Sequence, residues 1–166
     1  MGIGLDRTSA FGRGDAVTGR SNFGVSHTVL LVDDNPSDVD LVRQFLSAVP
    51  HPPRVLVGED GVEALNILRR KGPYASAPRP DLIILDLNLP RIDGREVLAA
   101  IKNDRELREI PVVVLTTSSA GRDIAQCYQL NANCYVTKPL DVDAFEQTVQ
   151  NIERFWLSTV KLPRAS

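Results

Sequence analysis

The sequence predicts a doubly wound α/β fold, five parallel strands flanked by five helices. Three observations predict it. Five short apolar runs alternate along the chain with five stretches of helical spacing. The central runs are apolar throughout instead of alternating, as in strands covered on both faces. Polar and acidic residues gather directly after the runs, where open parallel sheets place their sites.

Each element has its own signal. The strand runs are TVLLV (28–32), RVLVG (54–58), LIILD (82–86), VVVLTT (112–117) and CYVT (134–137). The first helix opens with Asn35 as cap and Pro36 at its first position, and Leu41, Val42, Phe45, Leu46 and Val49 fit its spacing. Ala64, Leu65 and Leu68 fit the second helix. Val97, Leu98 and Ile101 fit the third, which starts after Gly94. Ile124, Ala125 and Leu130 fit the fourth, which Asn131 closes in a left-handed conformation. The last helix, capped by Asp141, carries the stripe Val142, Phe145, Val149, Ile152 and Trp156.

Composition bounds the rest. The 166 residues are enough for one domain with a full core. An apolar fraction of 43% and a charged fraction of 24% are ordinary for a soluble globular protein. The net charge of -2 gives no sign of a nucleic-acid or membrane-surface binder. Cys127 and Cys134 have no metal-ligand spacing and read as reduced thiols, which points to the cytoplasm. No run is long enough to span a bilayer, and the N-terminus lacks the apolar core of a secretory signal. Residues 1–26 hold six of the 11 glycines and no hydrophobic period, so a disordered arm is expected there. The folded domain is expected over 27–158, with a short tail at 159–166. Arg7, Arg13 and Arg20 leave a functional arm thinkable, although three spaced arginines make a weak patch.

The strand ends carry the chemistry. The first strand ends in Asp33 and Asp34, the third in Asp86, the fourth in Thr116 and Thr117, and the fifth in Thr137 and Lys138. A lone Asp there is usually a turn or cap, a lone Lys a solvated charge, and a Thr a helix cap. Convergence on one sheet edge changes the reading. Clustered acids repel one another and need a cation, and hard oxygen ligands suit Mg²⁺. A carboxylate that accepts a phosphoryl group makes the three carboxylates Asp33, Asp34 and Asp86, the Thr116 hydroxyl and the Lys138 ammonium all useful, with the metal and Lys138 neutralising charge on the transferring oxygens. Asp86, at the end of a central strand, is the best-placed nucleophile.

LLVDDN, LIILDLNLPRIDG, VVVLTTSSA and CYVTKPL, in that order, resemble the motifs of response regulator receiver domains, over about residues 28–157. The resemblance implies a flavodoxin-like sheet of order 2-1-3-4-5. It implies Asp86 as phosphoacceptor. Mg²⁺ would be held directly by Asp34, Asp86 and the backbone carbonyl of Asn88, and by Asp33 through a water. Thr116 and Lys138 would contact the phosphoryl oxygens, Tyr135 would be the switch residue following Thr116, and Lys138–Pro139 would be a cis peptide. Asp33–Asp34 stands where Glu–Asp is frequent, and Asn131–Ala132–Asn133 replaces a glycine-containing turn.

PYASAPRPDLIILDLNLPR, TTSSA, NCYVTKPL and FWLSTVKLP resemble the small regulators paired with cyanobacterial and bacterial phytochromes. A phytochrome histidine kinase is then the expected partner. No output domain fits after Trp156, so signalling through protein contact is expected, without nucleic acid or membrane. Those relatives imply a homodimer through the fourth helix, fifth strand and fifth helix, with Phe155, Ala144 and Thr148 on its strip. Phe155 lies about 100° round the helix from Trp156. Thr117, β-branched and stiff, is expected to slow loss of the phosphoryl group.

Two alternatives stand beside this reading. A Mg-dependent phosphatase of the haloacid dehalogenase type also uses an aspartyl nucleophile, but on its first strand and with a second acid two residues on, where this chain has Asn88. A receiver-like scaffold that is never phosphorylated would be favoured by loss of Asp34, Asp86, Thr116 or Lys138, and all four are present.

Overall fold

A computed structural model describes residues 26–163. The expected arm at 1–26, apart from Ser26, and the end of the tail lie outside the described residues. Five strands form one parallel sheet: β1 Thr28–Val32, β2 Arg54–Gly58, β3 Leu82–Leu85, β4 Val112–Thr116 and β5 Cys134–Thr137. Their order is β2-β1-β3-β4-β5, as the resemblance implied. Five α-helices alternate with them: α1 Pro36–Ser47, α2 Gly61–Leu68, α3 Gly94–Asn103, α4 Gly121–Gln129 and α5 Val142–Glu153.

Two apolar layers cover the sheet. The side chains of Leu30, Val32, Ile83, Leu85, Val112 and Val114 meet α2, α3 and α4 on one face. Val29, Leu31, Leu82, Ile84, Val113 and Leu115 meet α1 and α5 on the other. This two-sided burial is why β1, β3 and β4 read as unbroken apolar runs. On the α1–α5 face, Phe45 and Phe145 meet edge to face at 5.7 Å.

Caps fix where the helices begin, and therefore what faces the sheet's carboxyl edge. The Asn35 side chain accepts from the Ser37 and Asp38 N–H groups, with Pro36 at the first position. Asp60 accepts from the Glu63 N–H, and Asp141 from the Ala144 N–H. Asp93 caps α3, with Glu96 bonding back to its backbone. Asn131, at φ 69, closes α4 as expected.

Three expectations need correction. The Lys138–Pro139 bond is trans, since the described residues contain no cis peptide. Trans is the lower-energy isomer, and with it Lys138 already donates its backbone N–H to the Thr116 carbonyl at 2.7 Å. In α4, Ala125 is exposed and Cys127 is the fully buried residue. The α5 stripe drifts at both ends: Val142 is exposed, and Trp156 is only partly buried while Leu157 takes the core position. Val142 is exposed as the first residue of α5, and at the other end the cause is a π-helical turn over Arg154–Thr159. Its wider i→i+5 spacing breaks the 100° phase that the sequence reading carried through to Trp156.

Candidate functional site

The site lies at the switch point of the sheet, where β1 runs to β2 on one side and β3 on the other. β1 delivers Asp33 and Asp34, β3 delivers Asp86, β4 ends in Thr116, and β5 is followed by Lys138. All five sequence-selected residues therefore meet at one edge. Backbone bonds fix the carboxylates: the Asp33 N–H donates to the Gly58 carbonyl at 3.1 Å, and the Asp86 N–H to the Val32 carbonyl at 2.9 Å.

Lys138 is the centre of the cluster. Its Nζ donates to Asp33 Oδ2 at 2.7 Å, to Asp86 Oδ2 at 2.9 Å and to Asp38 Oδ2 at 2.9 Å. Asp33, Asp86 and Lys138 are all buried, whereas Asp34 is exposed at the rim. Burial disfavours the Lys138 charge, but the hydrogen bonds it donates to the three acids outweigh this and raise its pKa above the ordinary lysine value. The ammonium is thereby held charged at neutral pH. Burial pushes the Asp33 carboxyl up, and the Lys138 and Asn35 donors only partly offset this. One ammonium shared among three acids cannot compensate each of them fully.

The other carboxylate oxygens are also placed. Asp33 Oδ1 accepts from the Asn35 N–H at 2.9 Å, and Asp86 Oδ1 accepts from the Asn88 N–H at 3.3 Å. Oxygens from Asp33, Asp34 and Asp86 lie within 4.8 Å of one another. With Asp38 added, the cluster stays strongly negative despite Lys138. Hard carboxylate donors in this number, one of them open to water, could hold a divalent cation.

Thr116 is fully buried, and its Oγ1 has no hydrogen-bond partner. A buried hydroxyl left unpaired costs free energy, so its position at the end of β4, the strand next to β3, calls for a ligand acceptor or a movement of the residue. The loop after it is anchored elsewhere. Tyr135 donates its hydroxyl hydrogen to the Ser118 carbonyl at 2.8 Å. Ser118 Oγ donates to Asp123, and Arg95 donates to the other oxygen of Asp123 at 2.6 Å. The stretch from Thr116 to α4 is thus tied to Tyr135 on β5 and to the first turn of α3.

Sequence reasoning missed three participants. Asp38 was one: its signal was available, since Asn35 caps a helix directly after Asp33–Asp34, and an acid in that first turn must face the same edge. Gly94 was treated only as a helix start, yet a Cβ on it would lie 2.2 Å from the Asp86 carbonyl oxygen and 2.5 Å from Leu87 Cα. The Arg95–Asp123 pair joins residues 28 apart in sequence and carries no local signal. Of the proposed dimer strip, Ala144 and Phe155 are exposed and Thr148 is half-buried, its hydroxyl donating to the Ala144 carbonyl at 2.8 Å. Phe155 also packs edge to face on Trp156 at 5.2 Å. Among the described residues, no helix is long and apolar enough to cross a membrane.

Comparison with known proteins identifies a family and fold. The model of the response regulator receiver domain matches residues 29–150. Response regulator Rcp1 of Synechocystis is 47% identical over 137 residues, which is 82% of this chain and 93% of Rcp1. The crystal structure of the phosphorylated cyanobacterial phytochrome response regulator RcpA superposes with a TM-score of 0.82 at 49% identity, covering 84% of this chain and all of that one. The Mn²⁺-bound form of Rcp1 superposes with a TM-score of 0.80 at 46% identity, covering 83% of this chain and 99% of that one. The comparisons give no support to the phosphatase alternative.

Proposed function

The chain belongs to the response regulator receiver domain family, and from that premise we propose that Asp86 accepts a phosphoryl group from the phosphohistidine of a histidine kinase. The observation that carries the proposal is the Lys138 ammonium bonded to Asp86 and Asp33, with the unpaired Thr116 hydroxyl at the neighbouring strand end.

An Asp86 carboxylate oxygen attacks phosphorus, the P–N bond breaks, and the imidazole leaves with the bonding pair. The fold holds Asp86 in place through its backbone bond to Val32 and through the Asn88 N–H. Lys138 begins on Asp86 Oδ2 and follows the negative charge onto a phosphoryl oxygen, loosening its bonds to Asp33 and Asp38. Thr116 Oγ1, unpaired in the resting site, donates to another phosphoryl oxygen, which removes the cost of its burial. Asp34, Asp86 and the Asn88 carbonyl would hold Mg²⁺ directly, with Asp33 acting through a water. When bound, Mg²⁺ supplies positive charge that offsets the build-up on the transferring oxygens.

Thr116 and Tyr135 form the proposed switch. Movement of Thr116 pulls on the loop whose Ser118 carbonyl already accepts from Tyr135, so the site is coupled to α4 and β5. The protein catalyses only its own phosphorylation and dephosphorylation and signals by protein contact in the cytoplasm. RcpA, a cyanobacterial phytochrome response regulator, supports a phytochrome histidine kinase as its partner. The test is phosphoryl transfer from a ³²P-labelled histidine kinase. The parent is expected to take label when Mg²⁺ is present and to lose that ability with EDTA. Asp86→Asn, which keeps the side-chain shape, is expected to take none. Stable labelling of Asp86→Asn would overturn the assignment.

A further inference from the structure

A pocket of mixed lining, apolar at Val49 and Pro50, lies at the opposite edge of the sheet from Asp86. It is bounded by Ala48 and His51, just past the end of α1, and by Gln150, Glu153, Arg154 and Ser158 from α5 and the π turn. Its volume is about 270 Å³, room for an ammonium or guanidinium on a short alkyl stem.

Glu153 makes this pocket unusual. The residue is only 7% exposed, yet it enters no ion pair among the described residues. Its one hydrogen bond is a long contact from Ser158 Oγ at 3.5 Å. A buried carboxylate without a cation is costly, and nothing in the phosphoryl-transfer chemistry uses this one. Arg154, its sequence neighbour, also borders the pocket with an exposed side chain, but the two form no ion pair. A second feature adds to the negative field. The C-terminal carbonyls of α1 end beside the pocket, and the last turn of α1 contains no basic residue.

We propose that this pocket binds an organic cation, a guanidinium or primary ammonium, with the Glu153 carboxylate as its counter-charge. The cation belongs either to a free small molecule or to an Arg or Lys side chain presented by a protein partner. Glu153 accepts hydrogen bonds from the cation, and Ser158 and Gln150 supply polar atoms at its flanks.

The test is an NMR titration of the full ¹⁵N-labelled chain with three probes: propylguanidinium, a capped Gly-Arg-Gly tripeptide, and propylurea as neutral isostere. Propylguanidinium is expected to perturb the amides of Ala48, His51 and Ser158 saturably, with affinity in the millimolar range or tighter. Propylurea should not. Glu153→Gln should weaken binding by roughly tenfold or more, the usual scale for losing one charge-assisted contact. Ala48→Leu fills the rim without touching the carboxylate and should block entry, which keeps the test decisive if Glu153→Gln is poorly folded. Binding of the tripeptide as well as the free cation assigns the pocket to a partner's side chain, and binding of the free cation alone assigns it to a small molecule. Equal binding of propylurea, unchanged affinity in both variants, or no saturation at about 10 mM overturns the proposal.

Discussion

At the scale of single residues, the site is a contest between burial and charge. Lys138 resolves most of it by bonding three acids at once, and Thr116 is left with a buried hydroxyl and no acceptor. Such a residue is held for function at the expense of stability. Thr116→Val replaces the orphaned hydroxyl with a methyl of similar shape. It is expected to stabilise the resting protein by about 1 kcal/mol in urea unfolding, because the unpaired group is removed. It should also respond poorly to phosphorylation, since it can donate nothing to the phosphoryl oxygen. A Thr116→Val protein no more stable than the parent would mean the hydroxyl is satisfied after all. Much of this scale was legible in the sequence: Asp33, Asp34, Asp86, Thr116 and Lys138 each close an apolar strand. Asp38 escaped because an acid in a first helical turn is ordinarily explained by the helix itself. The cis bond expected at Pro139 was borrowed from a resemblance, and no residue pattern near Lys138 specifies it.

At the scale of elements, the site depends on how closely α3 approaches the end of β3. Gly94 lets that approach happen, with its N–H donating to the Leu87 carbonyl at 2.9 Å and no space for a Cβ against the Asp86 carbonyl oxygen. The constraint is one of space, not of backbone conformation. Gly94→Ala is expected to cost about 3 kcal/mol, at the upper end for overpacking, because the obstacle is backbone on both sides. The Asp86 backbone should shift with it, lowering the rate of phosphorylation. Chemical denaturation and labelling rates check the two effects, and a fully stable, fully active Gly94→Ala protein would contradict the close packing. Strands and caps were readable because their signals are local: apolar runs, Asn35–Pro36, Asp93 with Glu96, Asp141. The π turn after Glu153 was not readable, since an apolar stripe reports a period only while the helix keeps it. Leu157 and Trp156 exchange roles as a result. The Arg95–Asp123 pair was beyond reach for a different reason: it arises only once α3 and α4 lie side by side.

At the scale of the whole molecule, we propose that the fold separates chemistry from output. The acids and Lys138 sit at the strand ends, while Tyr135 and the loop bonded to it lead toward α4 and β5. We propose that the chain forms a homodimer through α4, β5 and α5. The exposed side chains of Ala144 and Phe155 support this, and C2 dimers are the commonest oligomers. Sedimentation of the parent at tens of micromolar is expected to show a dimer in at least one phosphorylation state, and Phe155→Asp is expected to shift it toward monomer by placing a charge in an apolar strip. A parent that stays monomeric in both states would refute the dimer. An unchanged dimer in Phe155→Asp would place the interface elsewhere.

The claim that joins all three scales is that Asp86 is the atom-level acceptor. It is tested most directly by trapping the acyl phosphate. The parent chain would be treated with acetyl phosphate and Mg²⁺, reduced with borohydride, digested, and sequenced by mass spectrometry. Reduction converts a phosphorylated aspartate to homoserine, which marks the acceptor permanently. The account predicts homoserine at position 86 and at no other aspartate. Homoserine at position 33, 34 or 38 in its place, or none anywhere after treatment, would contradict it.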